Sequence, residues 1–134
     1  MKEEVLNTLQ ELGFLVEEMD DCGYGFRYEG LNYLYMPNDN DEDFLSLSLP
    51  GVFDMEDAGE TTGLRLSERL NSSLKYVKAY WINGNLWLFY ERELYGGEDM
   101  KRLVSRMVLH LEAALIQLRR FQTKAEDEAG NDND

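Results

Sequence analysis

The chain has 134 residues, 43% of them hydrophobic, and a net charge of −14. That length suits one globular domain with a continuous core rather than two domains, and no apolar run approaches the ~20 residues of a membrane span. The acidic balance disfavours phosphate backbones and anionic membranes as partners, and Met1-Lys2-Glu3-Glu4 lacks the basic start of a secretory signal, so a soluble, cytoplasmic protein is expected.

Val5, Leu6, Leu9 and Leu12 stand at helical spacing behind Glu3 and Glu4, with Gly13 as a stop; the spacing predicts an amphipathic helix over 2–12. Phe14-Leu15-Val16 reads as a brief extended stretch. Asp20, Asp21, Gly23 and Gly25 then mark a break. From Tyr24 the period becomes two: Tyr24, Phe26 and Tyr28 alternate, Glu29-Gly30 turns the chain, and Leu31, Tyr33 and Tyr35 alternate again. Pro37 ends that strand, a polar loop spans 38–43, and Leu45, Leu47 and Leu49 form the inner row of a third strand closed by Pro50-Gly51. Connections this short make the three strands an antiparallel meander.

An acidic connection is expected over 52–60, then a helix capped by Thr61 or Thr62 and carrying Leu64, Leu66, Leu70 and Leu74. Residues 76–91 carry the strongest local signal, because Asn83-Gly84 supplies the two positive-φ positions of a type I′ turn. With that turn, Ile82 faces Asn85, Trp81 faces Leu86, Tyr80 faces Trp87, Ala79 faces Leu88, Lys78 faces Phe89 and Val77 faces Tyr90. One face, with Val77, Ala79, Trp81, Leu86, Leu88 and Tyr90, reads as core. The other, with Tyr76, Lys78, Tyr80, Ile82, Asn85, Trp87, Phe89 and Glu91, reads as an aromatic surface.

Gly96-Gly97 ends the hairpin, and Glu98-Asp99 opens a last helix to about Lys124 whose Leu103, Val104, Met107, Val108, Leu111, Ala114, Leu115, Leu118 and Phe121 make one apolar stripe. Residues 125–134 lack any apolar side chain larger than alanine and are expected to be a disordered acidic tail after a single domain over 1–124. The fold class is α+β: helix, three-stranded meander, helix, hairpin and long helix, with the helices packed on a five-stranded antiparallel sheet. Charge is unevenly spread: residues 1–60 hold 2 basic and 16 acidic side chains, and 98–124 hold 6 and 3.

Asn71 followed by Tyr76-Val77-Lys78-Ala79, then Leu86-Trp87-Leu88 and Gly96-Gly97-Glu98, resembles the YbjN-type family of proposed bacterial sensory-transduction regulators over roughly residues 1–124. The resemblance implies a fold like that of type III secretion chaperones, a non-catalytic regulator or chaperone-like adaptor, and no active-site residues to carry across.

The residues themselves offer little chemistry. His110, the only histidine, has no evident acid or base partner and reads as a boundary residue on the last helix. Cys22 cannot form an internal disulfide, and Asp20 and Asp21 beside it oppose a thiolate. Ser46, Ser48, Ser67, Ser72, Ser73 and Ser105 lie in no nucleophile elbow, and the glycines lack phosphate-loop or dinucleotide spacing. Asp39, Asp41 and Asp43 alternate like calcium-loop ligands, but Phe44 and Pro50 occupy the places of the required Gly and Glu. They remain weak metal candidates and the basis of an alternative reading as a small-ligand or metal-ion sensor. No cofactor and no enzyme activity are expected. The leading expectation is a protein partner or self-association, as a homodimer, through Tyr76, Tyr80, Ile82, Trp87 and Phe89, since Trp and Tyr concentrate binding energy.

Overall fold

The computed structural model describes residues 1–20 and 23–131. The elements are α1 (Lys2–Glu11), β1 (Glu17–Met19), β2 (Gly23–Tyr28), β3 (Leu31–Tyr35), β4 (Phe44–Asp54), α2 (Met55–Ala58), α3 (Glu60–Ser73), β5 (Val77–Ile82), β6 (Asn85–Glu93) and α4 (Met100–Asn131). Six antiparallel strands form one sheet in the order β1-β2-β3-β4-β6-β5. The α+β class is as expected, with one strand more than the five read from the pattern. The extra strand, β1, begins just after the stretch at 14–16 that reads as extended. Its Glu-Glu-Met sequence is exposed throughout and carries no alternation to betray it.

Both hairpins turn on two consecutive positive-φ residues, Glu29-Gly30 (51° and 76°) and Asn83-Gly84 (51° and 80°). That geometry follows the strand twist, and it fixes the second hairpin in the register set by Asn83-Gly84, all six pairs from Val77↔Tyr90 to Ile82↔Asn85. The alternation sorts the sheet into two faces. Phe26, Tyr33, Tyr35, Leu45, Leu47, Leu49, Phe53, Val77, Ala79, Leu86, Leu88 and Tyr90 share one buried cluster with Val5 and Leu9 of α1, Leu66 and Leu70 of α3, and the Val104 to Phe121 stripe of α4. The three longer helices therefore lie on one side of the sheet. Burial lifts the Tyr35 pKa to about 12, and the Tyr33 hydroxyl, also shifted upward by burial, donates to the Val108 carbonyl at 3.4 Å.

Four boundaries differ from the sequence reading. Pro50-Gly51 does not close β4. The register shifts between Leu49 and Phe53, and the strand continues through an irregularity where proline's missing N–H is tolerated. The expected acidic connection is instead the end of β4 and the single turn α2, capped by Asp54 accepting from the Glu56 N–H at 2.9 Å. The following helix starts at Glu60 behind Gly59, so neither Thr61 nor Thr62 caps it. Finally, α4 passes Lys124 and runs to Asn131, so the segment expected to be structureless is helical at its start. Ala125-Glu126-Asp127-Glu128-Ala129 contains no helix breaker before Gly130. Cys22 lies outside the described residues.

Candidate protein-docking surface

The sheet face turned away from the helices carries the alternate residues: Gly25 and Leu34, Ser46 and Ser48, Phe89 and Glu91, Lys78, Tyr80, Ile82 and Trp87. Among the described residues no element packs over it. Leu34 and Phe89 are buried yet stand outside the helix-side cluster. Phe89, only 2% exposed, is covered by its neighbours: the Tyr80 ring lies parallel to it at 4.4 Å and 5°, and Trp87 at 5.8 Å and 15°. Tyr80 is a diagonal cross-strand neighbour and Trp87 lies two residues away on the same strand, so the three rings form a stack across β5 and β6. Tyr80 remains 38% exposed, and Ile82 and Trp87 are half-buried.

A charged pair borders the stack. Lys78 Nζ sits 2.6 Å from Glu91 Oε1 and 5.3 Å above the Tyr80 ring. The contact with Glu91 holds the Lys78 ammonium pKa above its ordinary value, and burial raises that of the Tyr80 phenol. Ser48 Oγ donates a long bond to the Leu34 carbonyl at 3.5 Å, and the buried Ser46 Oγ has no partner among the described residues. The accessible part of this face, Tyr80 with half-buried Ile82 and Trp87 beside the Lys78–Glu91 pair, is suited to holding side chains of another polypeptide.

The expected residues do not all come together. Tyr80, Ile82, Trp87 and Phe89 share the face, but Phe89 serves as the covered base of the stack. Tyr76 is elsewhere. It has φ 69° at the centre of a tight turn in which the Val77 N–H donates to the Lys75 carbonyl at 2.8 Å. That turn precedes β5 and breaks the alternation, so Tyr76 lies on the helix side, stacked on Tyr90 at 5.8 Å and edge-on to His110 at 5.3 Å. His110 is thus a half-buried wedge between two tyrosines. Trp81 faces the helices as expected but is only half-buried near the hairpin end. Its Nε1 donates to Ser67 Oγ at 3.2 Å, and its ring is edge-on to Phe53.

Asn71 has a role that its place in the sequence motif does not reveal. Its Nδ2 donates to the Ala79 carbonyl at 2.8 Å, and its Oδ1 accepts the Ala79 N–H at 2.7 Å. The side-chain amide thereby stands in for a neighbouring strand at the middle of edge strand β5. With the Val77 N–H already bonded to Lys75, strand addition at the start and middle of this edge is opposed.

The acidic loop does not assemble. Backbone bonds from Asp41 to Asn38 and from Phe44 to Asp41 fold it into turns, and among the described residues no group of three or more His, Cys, Asp or Glu side chains gathers to hold a metal ion. Nor is any helix among them long and apolar enough to cross a membrane.

No family model and no curated protein matches the sequence. Solved structures similar in fold include the following two. YbjN from E. coli, described as a candidate transcription regulator, superposes with a TM-score of 0.67 at 13% identity, over 90% of this chain and 92% of that one. An uncharacterized protein from Methanothermobacter thermautotrophicus superposes with a TM-score of 0.61 at 17% identity, over 92% and 97%. The chain has a YbjN-like fold.

Proposed function

We propose that the chain is a non-catalytic, cytoplasmic protein-binding regulator, a chaperone-like adaptor that captures a protein segment or a second copy of itself on the open sheet face. The observation that carries this reading is the stack of Tyr80, Phe89 and Trp87 on a face that no described element covers. Rings held parallel by each other lose little conformational freedom on binding, which is why such side chains serve as anchors. Tyr80, Ile82 and Trp87 make the contacts, and Phe89 supports them. The partly closed β5 edge favours side-chain docking over strand addition. The likeness to a candidate regulator agrees with this reading. The net charge of −14 disfavours nucleic acid as the occupant.

Tyr80→Ser with Trp87→Ser tests the proposal. The double variant keeps the fold by circular dichroism and loses self-association in sedimentation or partner capture in pull-down. Unchanged sedimentation and pull-down profiles would rule the face out.

A further inference from the structure

The outer side of α4 belongs to the helix layer, opposite the ring-bearing face, and its chemistry is different. Between Met100 and Lys124 the helix carries Lys101, Arg102, Arg106, Arg119, Arg120 and Lys124 against the single carboxylate Glu112, in a chain of net charge −14. Glu112 is half-buried and sits on the flank of this side, as Arg119 does. Among the described residues the only ion pair on this stretch is Lys101 with Glu11 at 3.2 Å. Along the same side Leu109 and Ile116 are 52% and 44% exposed, with exposed Ala113 between them. Seven residues apart, they lie about 10 Å from each other along the axis, on one stripe.

Leu109 lines a hollow of about 470 Å³ with Leu12, Phe14 and Tyr28, at the junction of α1, β2 and α4, with Arg27 and Glu29 also on its wall. Ile116 stands on the open surface of α4 beside Arg119, Arg120 and Lys124, with Asp127 beyond them. Two exposed apolar side chains one heptad apart, on a helix side rich in cations, match a helix that presents apolar side chains at i and i+7 with acidic residues beside them.

We propose that this stripe of α4 docks an acidic amphipathic helix of a partner protein. A second copy of α4 is a poor occupant. Antiparallel pairing about Ala113 sets Arg102 and Arg106 against Arg119, Arg120 and Lys124, and parallel pairing sets like against like. Nucleic acid offers no pair of apolar side chains for the exposed Leu109 and Ile116. This site is independent of the ring-bearing face and can stand or fall without it.

The test uses the full chain and a synthetic helical peptide with two leucines seven residues apart, flanked by glutamates, with binding followed by fluorescence anisotropy. The peptide binds, and its affinity falls as salt is raised. Leu109→Gln with Ile116→Gln weakens binding at least about tenfold, and Arg119→Gln with Arg120→Gln about tenfold, while Tyr80→Ser with Trp87→Ser leaves it unchanged. All these side chains except Trp87 are exposed, and the arginine pair carries the test independently if the apolar pair perturbs folding. The proposal is overturned if the wild type does not bind the peptide, or if a scrambled peptide or a DNA duplex binds equally well. Unchanged affinity in both α4 double variants, or loss in the sheet-face variant, overturns it too.

Discussion

Replacing Asn71 by alanine removes two hydrogen bonds at once, those linking its side-chain amide to the Ala79 N–H at 2.7 Å and the Ala79 carbonyl at 2.8 Å. Each bond of this kind contributes about 1 kcal/mol net, and the Ala79 backbone groups regain only part of that from water because the site is partly buried. The expected cost is about 2 kcal/mol. For a domain of this size that corresponds to a fall in melting temperature of roughly 6–10 °C. Urea titration gives the free energy, with the midpoint shifted and the slope unchanged. Amide exchange gives the location: the Ala79 amide loses protection while that of Leu88, within β6, keeps it. Asn71→Asp retains the acceptor but sets a carboxylate against the Ala79 carbonyl, so it should be no better than alanine. Asn71→Gln, one methylene longer, should recover only part of the loss. A second consequence is functional. An unblocked β5 edge offers free backbone groups, and the variant should aggregate more readily at equal concentration. Stability within 0.5 kcal/mol of the parent, with Ala79 still protected, would refute the reasoning.

Other substitutions probe the same fold. A Cβ at Gly63 would stand 2.9 Å from Cζ2 and 3.2 Å from Cη2 of Trp81, a ring rather than a flexible chain end, so Gly63→Ala should cost about 1–2 kcal/mol despite alanine's higher helix propensity. In a Trp81→Phe background the same change should turn neutral or favourable, as a double-mutant cycle by urea unfolding will show. Glu29 has φ 51°, a conformation that asparagine tolerates better, so Glu29→Asn should raise stability by about 0.5–1 kcal/mol in thermal melts. Glu98 accepts the Tyr95 N–H at 2.9 Å and the Gly96 N–H at 2.7 Å, and these bonds hold its carboxyl below the ordinary value of 4.5. Its contribution is therefore present above that value and lost as pH falls through the lower folded pKa. Glu98→Gln should flatten this part of the acid limb of a melting-temperature profile.

The hairpin was legible because one dipeptide, Asn83-Gly84, sets both turn and register, and the register assigns every neighbouring side chain to a face. The three longer helices were legible from apolar spacing. What escaped the sequence was decided by contacts it does not display. The strand Glu17–Met19 is held by pairing with β2 and has no apolar alternation. Pro50-Gly51 reads as a stop and is instead absorbed by an irregularity in β4. For the candidate surface, period-two alternation placed Tyr80, Ile82, Trp87 and Phe89 together, yet it could not say which face the helices cover or that Phe89 lies beneath its neighbours. Tyr76 was misplaced because its positive φ, at 66% exposure and without a glycine to announce it, reverses the alternation one residue before the strand begins. Asn71 stood in the motif, but its pairing across eight residues is a tertiary contact that a linear pattern does not reveal.

Side-chain oxidation by hydroxyl radicals, compared between the dilute purified chain and the chain in extract of its native cell, tests most directly whether the open sheet face is where a polypeptide binds. Labelling of Tyr80 and Trp87 should fall in extract, while Tyr95, 83% exposed in the loop after β6, serves as the unprotected reference. Equal labelling of Tyr80 and Trp87 in both settings would contradict a docking role for the face.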